Sequence, residues 1–361
     1  MPQSSIYLDA NATEPLRPEA RDAMLAATAA PGNPSSVHAA GRAARRLLED
    51  AREAIARRFG VPPGGEVVFT SGGTEADALA IHALGHGRRL LIGATEHDAV
   101  RAARADAQVL PVDRDGCLDL AALAAALDGP PALVCLMLAN NETGTIQPVA
   151  AAAALCRQAG ARLHVDAVQA AGRIGVDLAA LNADSLALSS HKLGGPAGAG
   201  ALLSAGPLDG PALIAGGGQE RGRRGGTPPV AVIAGFAAAC LAPMAEMLAL
   251  RGAVEQAVTG SGGVVLGGPS RLPNTVCAAL PGVAAQTQLI TLDLAGVCVS
   301  AGAACSSGKV ARSHVLVAMG LGALAGEAIR VSLPWNATMR DVDGFAARYA
   351  AMAGHLQRQA A

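Results

Sequence analysis

Of the 28 basic residues in this 361-residue chain, only Lys192 and Lys309 are lysines. A guanidinium stays protonated in proteins, whereas an amine can lose its proton and act as a nucleophile. Lys192 stands among small residues in "LALSSHKLGG" (186–195). A lysine kept there suggests amine chemistry, and its surroundings must decide between that and chance. "TSGGTEADA" (70–78) places Ser71, Gly72, Gly73 and Thr74 between a strand-like run and a helix-like one. Bare N–H groups at a helix N-terminus cradle anions, although such turns also occur without a ligand. "HVDAVQA" places Asp166 at the end of an apolar run. It is there as a helix N-cap or as a carboxylate facing a protonated ring nitrogen. "TEHDAV" places His97 at another such end, for structure, for ring stacking or for proton transfer. An available amine, a phosphate cradle and a ring-nitrogen carboxylate are the parts of a pyridoxal-phosphate site, whose aldehyde forms a Schiff base with lysine.

Other chemistries fit less well. His164, Asp166 and His191 are the nearest thing to a metal-ligand set, but no H-E-x-x-H or C-x-x-C spacing accompanies them, so no metal is expected. The seven cysteines are scattered and odd in number, and "MPQSSIYLDANAT" has neither a basic nor an apolar leader region. A reduced, cytoplasmic protein is expected. A net charge of -1 and 2% aromatic content argue against nucleic-acid partners and anionic membranes. The uncharged stretch 230–245 is shorter than the ~20 residues a membrane span needs, and Pro243 interrupts it. It reads as a buried helix opened by Pro228–Pro229.

The elements that must position these residues follow from hydropathy. Strand-like runs at 66–73, 88–97, 131–144, 161–170, 183–192 and 199–206 end in the polar clusters, and amphipathic segments such as 43–60 lie between several of them. This alternation predicts an α/β fold with a largely parallel sheet and ligands beyond the carboxyl ends of the strands. After about residue 250 the runs shorten and glycine becomes frequent, which predicts a second, smaller α+β domain.

Ordered blocks then carry a resemblance over nearly the whole chain. They are "YLDANAT" (7–13), "GNPSSVH" (32–38), "TSGGTE" (70–75), "TEHDAV" (95–100), "NNETGTIQP" (140–148), "HVDAVQ" (164–169), "SSHK" (189–192), "GGGQERGRRGGT" (216–227), "GAACSSG" (302–308) and "RVSL" (330–333). In this order they resemble the cysteine desulfurases, pyridoxal-phosphate enzymes of the class V aminotransferase group with fold type I. The resemblance implies a large domain over residues 14–250 with a mostly parallel seven-stranded sheet between helices. It also implies a small domain from residues 1–13 and 251–361.

It further implies roles. Lys192 holds the cofactor and moves the substrate Cα proton. His97 stacks on the ring, Asp166 faces its nitrogen, and Asn141 and Gln169 lie near its phenolic oxygen. Gly73, Thr74, Ser189 and His191 hold the phosphate, and Thr227 reaches the phosphate of a neighbouring subunit in a homodimer. Arg330, with Asn141, binds the substrate carboxylate. The Cys305 thiolate takes sulfur from L-cysteine as a persulfide, releasing L-alanine, and an acceptor protein receives it, for iron–sulfur cluster assembly or another sulfur-containing cofactor. The alternatives are a selenocysteine lyase or another class V aminotransferase. The chain departs from the pattern in places: "TEADA" lacks the asparagines many relatives carry after "TE", and Gly225 replaces a common serine.

Overall fold

Short runs of consecutive apolar residues suit strands covered on both faces. In the computed structural model, which describes residues 5–208, 210–302 and 312–360, they build the centre of the molecule. The strands in chain order are β1 (Ile6–Tyr7), β2 (Glu66–Thr70), β3 (Arg89–Gly93), β4 (Gln108–Leu110), β5 (Ala132–Met137), β6 (Arg162–Asp166) and β7 (Ser185–Ser189). β8 (Gly200–Ser204), β9 (Val264–Leu266), β10 (Thr275–Ala279), β11 (Val297–Cys298), β12 (Ser300–Ala301) and β13 (Ala328–Ser332) follow. Seven of them form one sheet in the order β2-β8-β7-β6-β5-β3-β4. β8 runs antiparallel to both neighbours, and the other pairings are parallel. The mostly parallel seven-stranded sheet expected from the resemblance is present.

Helices cover both faces. In α2 (Ala39–Arg58), Gly41, Ala44, Leu48, Ala51 and Ile55 are buried at three- and four-residue spacing, the stripe an amphipathic helix presents to a core. α1 (Pro18–Thr28) opens with proline, whose missing N–H is harmless at the first helical turn. It packs, with α2, against the helix Val230–Leu241. That helix starts directly after Pro228–Pro229 and stops before Pro243, with Ala242 already extended. Among the described residues no helix is long and apolar enough to cross a membrane. α3 (Gly73–Leu84) and α4 (Asp98–Arg101) begin at the carboxyl ends of β2 and β3.

A second sheet, β12-β13-β10-β9, is antiparallel. It shares a separate core with the helices Leu248–Gly260, Ala285–Leu294 and Met339–Ala360, through Val254, Val258, Leu292, Phe345 and Tyr349. The N-terminal segment joins this core rather than the large sheet. Leu8 is buried in it, β1 pairs with β11, and Asp9 bridges to Ser332.

The structure trims the sequence reading at element ends. The run 131–144 is a strand only as far as Met137, and the segment 43–60 is part of a helix that already begins at Ala39. Gln108 and Val109 of edge strand β4 are exposed and only Leu110 is buried, so no hydropathy pattern marks it.

Candidate active site

The polar residues that end successive strands converge because parallel strands share a direction. β2 delivers Ser71 and Gly72 to the start of α3, β6 ends in Asp166, and β7 ends in Ser189. A short 3-10 turn, Ser190–Lys192, then carries His191 and Lys192. β3 leads into Glu96 and His97, and the His97 ring caps α4 by accepting the Ala99 N–H at 3.1 Å. Beyond these ends lies a cavity of about 330 Å³. Gly73, Thr74, Ser189 and His191 line one part of it, and His97, Asn141, Asp166, Gln169 and Lys192 line the rest. Nine of the expected residues are thus brought together. A larger groove of about 830 Å³ lies elsewhere, beside Arg89 and Arg104. Both guanidiniums there are engaged by backbone carbonyls.

At the α3 end, Gly72 stands at the N-cap and supplies no side-chain cap to the first turn of the helix. A Cβ on Gly73 would sit 2.7 Å from Val168 Cγ2, so only glycine fits between α3 and the loop after β6. Beside it, His191 Nδ1 lies 3.1 Å from Thr13 Oγ1. Burial, then the Lys192 and Arg173 charges, lower its pKa to about 4, so the ring is neutral near pH 7.

At the floor, Asp166 is 7% exposed and accepts the Val168 N–H at 2.9 Å. Burial, together with the nearby Asp77 carboxylate, raises its pKa. An acid kept dry in this way gains most from a cationic partner in the cavity. The Lys192 amine donates to the Asn11 carbonyl at 2.5 Å and the Ala12 carbonyl at 3.0 Å. Gln169 Nε2 donates to the same Asn11 carbonyl at 3.0 Å.

Arg330 lies behind the cavity wall. Its Nη1 donates to the Asn141 carbonyl at 3.1 Å and its Nη2 to Asp9 at 2.8 Å. Its Nε is buried with no hydrogen-bond partner among the described residues. Thr227 is exposed and outside the cavity. Its loop is pinned at two places. Glu220 accepts Arg52 at 2.8 and 2.9 Å and the Phe69 N–H at 2.8 Å. Arg224 binds Glu75 at 2.8 Å, and Glu75 in turn accepts the Ser71 N–H at 2.7 Å, at the mouth of the cradle. Cys305 and Lys309 lie outside the described residues.

The structure adds residues that sequence reasoning passed over. Asn11, 1% exposed, bonds Thr275, Asn274, Asn141, Gln169 and Lys192 at once. Asp77 lines the cavity and contacts His164 at 3.1 Å. Glu96 is fully buried; burial raises its carboxyl pKa, and it accepts the Met137 N–H at 3.1 Å. Asp77 stands in the stretch "TEADA", whose lack of asparagines does not single out its acid. The block "YLDANAT" contains Asn11 but gives no hint of its role, because its partners lie up to 321 residues away.

Comparison with known proteins agrees with this geometry. The pattern of the class-V aminotransferases matches residues 6–345. A cysteine desulfurase of Cereibacter sphaeroides is 43% identical, over 94% of this chain and 93% of that protein. The crystal structure of a NifS-like protein from Rickettsia africae ESF-5 superposes with a TM-score of 0.90 at 32% identity, covering 97% of this chain and 99% of that one. The structure of SspA in complex with cysteine gives a TM-score of 0.81 at 29% identity, covering 92% and 99%. With its strand-end cavity and, among the described residues, one lysine lining it, the chain belongs to the class-V aminotransferases and, within them, to the cysteine desulfurases.

Proposed function

We propose that this protein binds pyridoxal 5'-phosphate and converts L-cysteine to L-alanine, passing the sulfur to Cys305 as a persulfide. One observation carries the reading: an amine, a buried acid and a helix N-terminus flanked by Ser189 and His191 open into one cavity. That donor set fits an aldehyde, a ring nitrogen and a phosphate respectively. SspA, a structural relative, has been solved with cysteine bound, which supports the substrate class.

When bound, the cofactor supplies an electron sink for charge developing at the substrate Cα. The chain's own groups do the rest. Gly73, Thr74, Ser189 and His191 hold the phosphate, a neutral His191 donating one N–H. Asp166 keeps the ring nitrogen protonated. Asn141 and Gln169 orient the ring's phenolic side, and His97 covers its face and handles substrate protons. Lys192, held here by the Asn11 and Ala12 carbonyls, would hold the cofactor through its amine and would move the substrate Cα proton. Arg330 grips the substrate carboxylate, its fork held by Asp9. The Cys305 thiolate attacks the substrate sulfur. An S–S bond forms, the C–S bond breaks, and its electron pair remains on carbon, which takes a proton to become alanine. No external oxidant or reductant is needed.

The same reading covers the assembly. A homodimer would bring Thr227 to the neighbouring subunit's phosphate, and the two pins on its loop support that presentation. The separate packing of the large sheet and of the second sheet with its helices supports a large domain over 14–250 and a small one from 1–13 and 251–361. The work belongs in the cytoplasm, with iron–sulfur cluster assembly as the destination of the sulfur. Mass spectrometry of the intact, cofactor-loaded protein after L-cysteine without a thiol reductant tests the reading. A chain heavier by one sulfur atom, mapping to Cys305, is expected. Alanine released from a chain that never gains sulfur would overturn it.

A further inference from the structure

A second acid sits beside the one assigned to the ring. Asp77, from the second turn of α3, lines the same cavity as Asp166 and is 1% exposed. Its Oδ1 lies 3.1 Å from His164 Nε2, and His164 Nδ1 lies 2.8 Å from Ser185 Oγ. His164 and Ser185 are fully buried. The reaction sequence above uses none of the three. An acid, an imidazole and a hydroxyl aligned without water are costly to bury unless their partners are complete. Here the line opens on one side only, toward the cavity.

The groups facing Asp77 decide what it does. β6 contributes His164 and Asp166, the loop after β3 contributes His97 and Glu96, and β5 contributes Cys135. Burial raises the pKa values of Glu96 and Cys135 well above their ordinary ranges. Burial lowers that of His164 to about 4. Asp77 and Asp166 are two carboxyls lining one dry space, and His97 acts on both in the opposite sense to burial. Like charges so placed hold on to a shared proton. Burial raises the Asp77 pKa to about 7 against the opposing pull of His97, and the Asp77 charge in turn adds to the rise at Asp166.

We propose that Asp77, held by His164, is a positioning residue for Asp166: it fixes how firmly Asp166 keeps a proton, and so the pH below which the cavity rejects a cationic ring. The inference rests on Asp166 facing the cofactor's ring nitrogen. The direction follows from charge. As pH falls through the raised range, the two carboxyls take up protons, and the negative charge facing a ring N–H⁺ disappears. Cofactor affinity therefore falls on the acid side. Removing the Asp77 charge relieves Asp166 of repulsion, so Asp166 stays ionised to lower pH.

The experiment is a titration of cofactor-free protein with pyridoxal 5'-phosphate across the neutral and acid range, reading the dissociation constant at each pH. In Asp77→Asn the acid-side loss of affinity should begin about one pH unit lower, which is about tenfold tighter binding on that limb. Asp77→Ser, which also removes the charge, should do the same if the asparagine variant folds poorly. Ser185→Ala, which leaves the Asp77–His164 contact in place, should keep the wild-type profile. Calorimetry of the wild type in buffers of different protonation enthalpy should show a proton released on loading near neutral pH. An unmoved inflection in the Asp77 variants, an equal shift in Ser185→Ala, or loading without proton release would overturn the inference while leaving the cofactor reading intact. A wild type that binds no pyridoxal phosphate at any pH would overturn both.

Discussion

At the scale of single residues, the chemistry turns on a few side chains whose substitutes cannot do the same work. Lys192→Arg keeps a cation near the Asn11 and Ala12 carbonyls but cannot form an imine. Borohydride should therefore fix the cofactor to the wild-type chain at residue 192 and to nothing in the variant. Arg330→Lys loses the fork that the Asp9 contact orients. A loss of one charge-assisted bond, roughly 1.5–3 kcal/mol, should lower kcat/KM for L-cysteine about tenfold or more, mostly through KM. Cys305→Ser should load with cofactor as the wild type does and release neither alanine nor sulfide. Lys192, Asp166 and His97 are legible in sequence because each follows an apolar run, and a charge at such a place needs a purpose. Asn11 and the Asp77–His164 pair are not legible in that way. Their meaning comes from partners 87 to 321 residues distant, and no local pattern encodes such contacts.

At the scale of elements, α3 is the part of the fold most nearly dictated by one residue. A Cβ at Gly73 would meet Val168 Cγ2 at 2.7 Å, and the helix start must move away to admit it. Gly73→Ala should weaken cofactor binding about tenfold, measured as a dissociation constant, with little effect on melting temperature, since Ala favours the helix that Gly opposes. The loop bearing Thr227 depends instead on a buried pair. Arg52→Met would leave Glu220, 7% exposed, without its cation. Breaking one side of such a pair costs about 3–5 kcal/mol, and urea unfolding should show a loss of that size. The six long strand runs are readable from hydropathy because burial on both faces leaves no alternation to confuse them. β4 is hidden because two of its three residues are exposed. The ends of elements are blurred because runs such as 131–144 continue into buried loops, whose apolar residues are indistinguishable from strand.

At the scale of the whole molecule, the N-terminal segment ties the two cores together at the cavity. Leu8 packs in the second core, while Asn11 and Ala12 accept the Lys192 amine. A change in either core is thereby felt where the cofactor would sit. Composition gives the near-zero net charge of the chain but could not foretell this strap, which needs both sheets to exist first. Asn11→Ala should lower cofactor affinity and turnover together, because it loosens Asn141 and Thr275 at once. The most direct measurement on the molecule is the product balance from L-cysteine with a thiol reductant and no added 2-oxo acid. Alanine and sulfide should accumulate in equal amounts over many turnovers. Alanine that appears only when an oxo acid is supplied, with no sulfide beside it, would contradict the desulfurase chemistry outright.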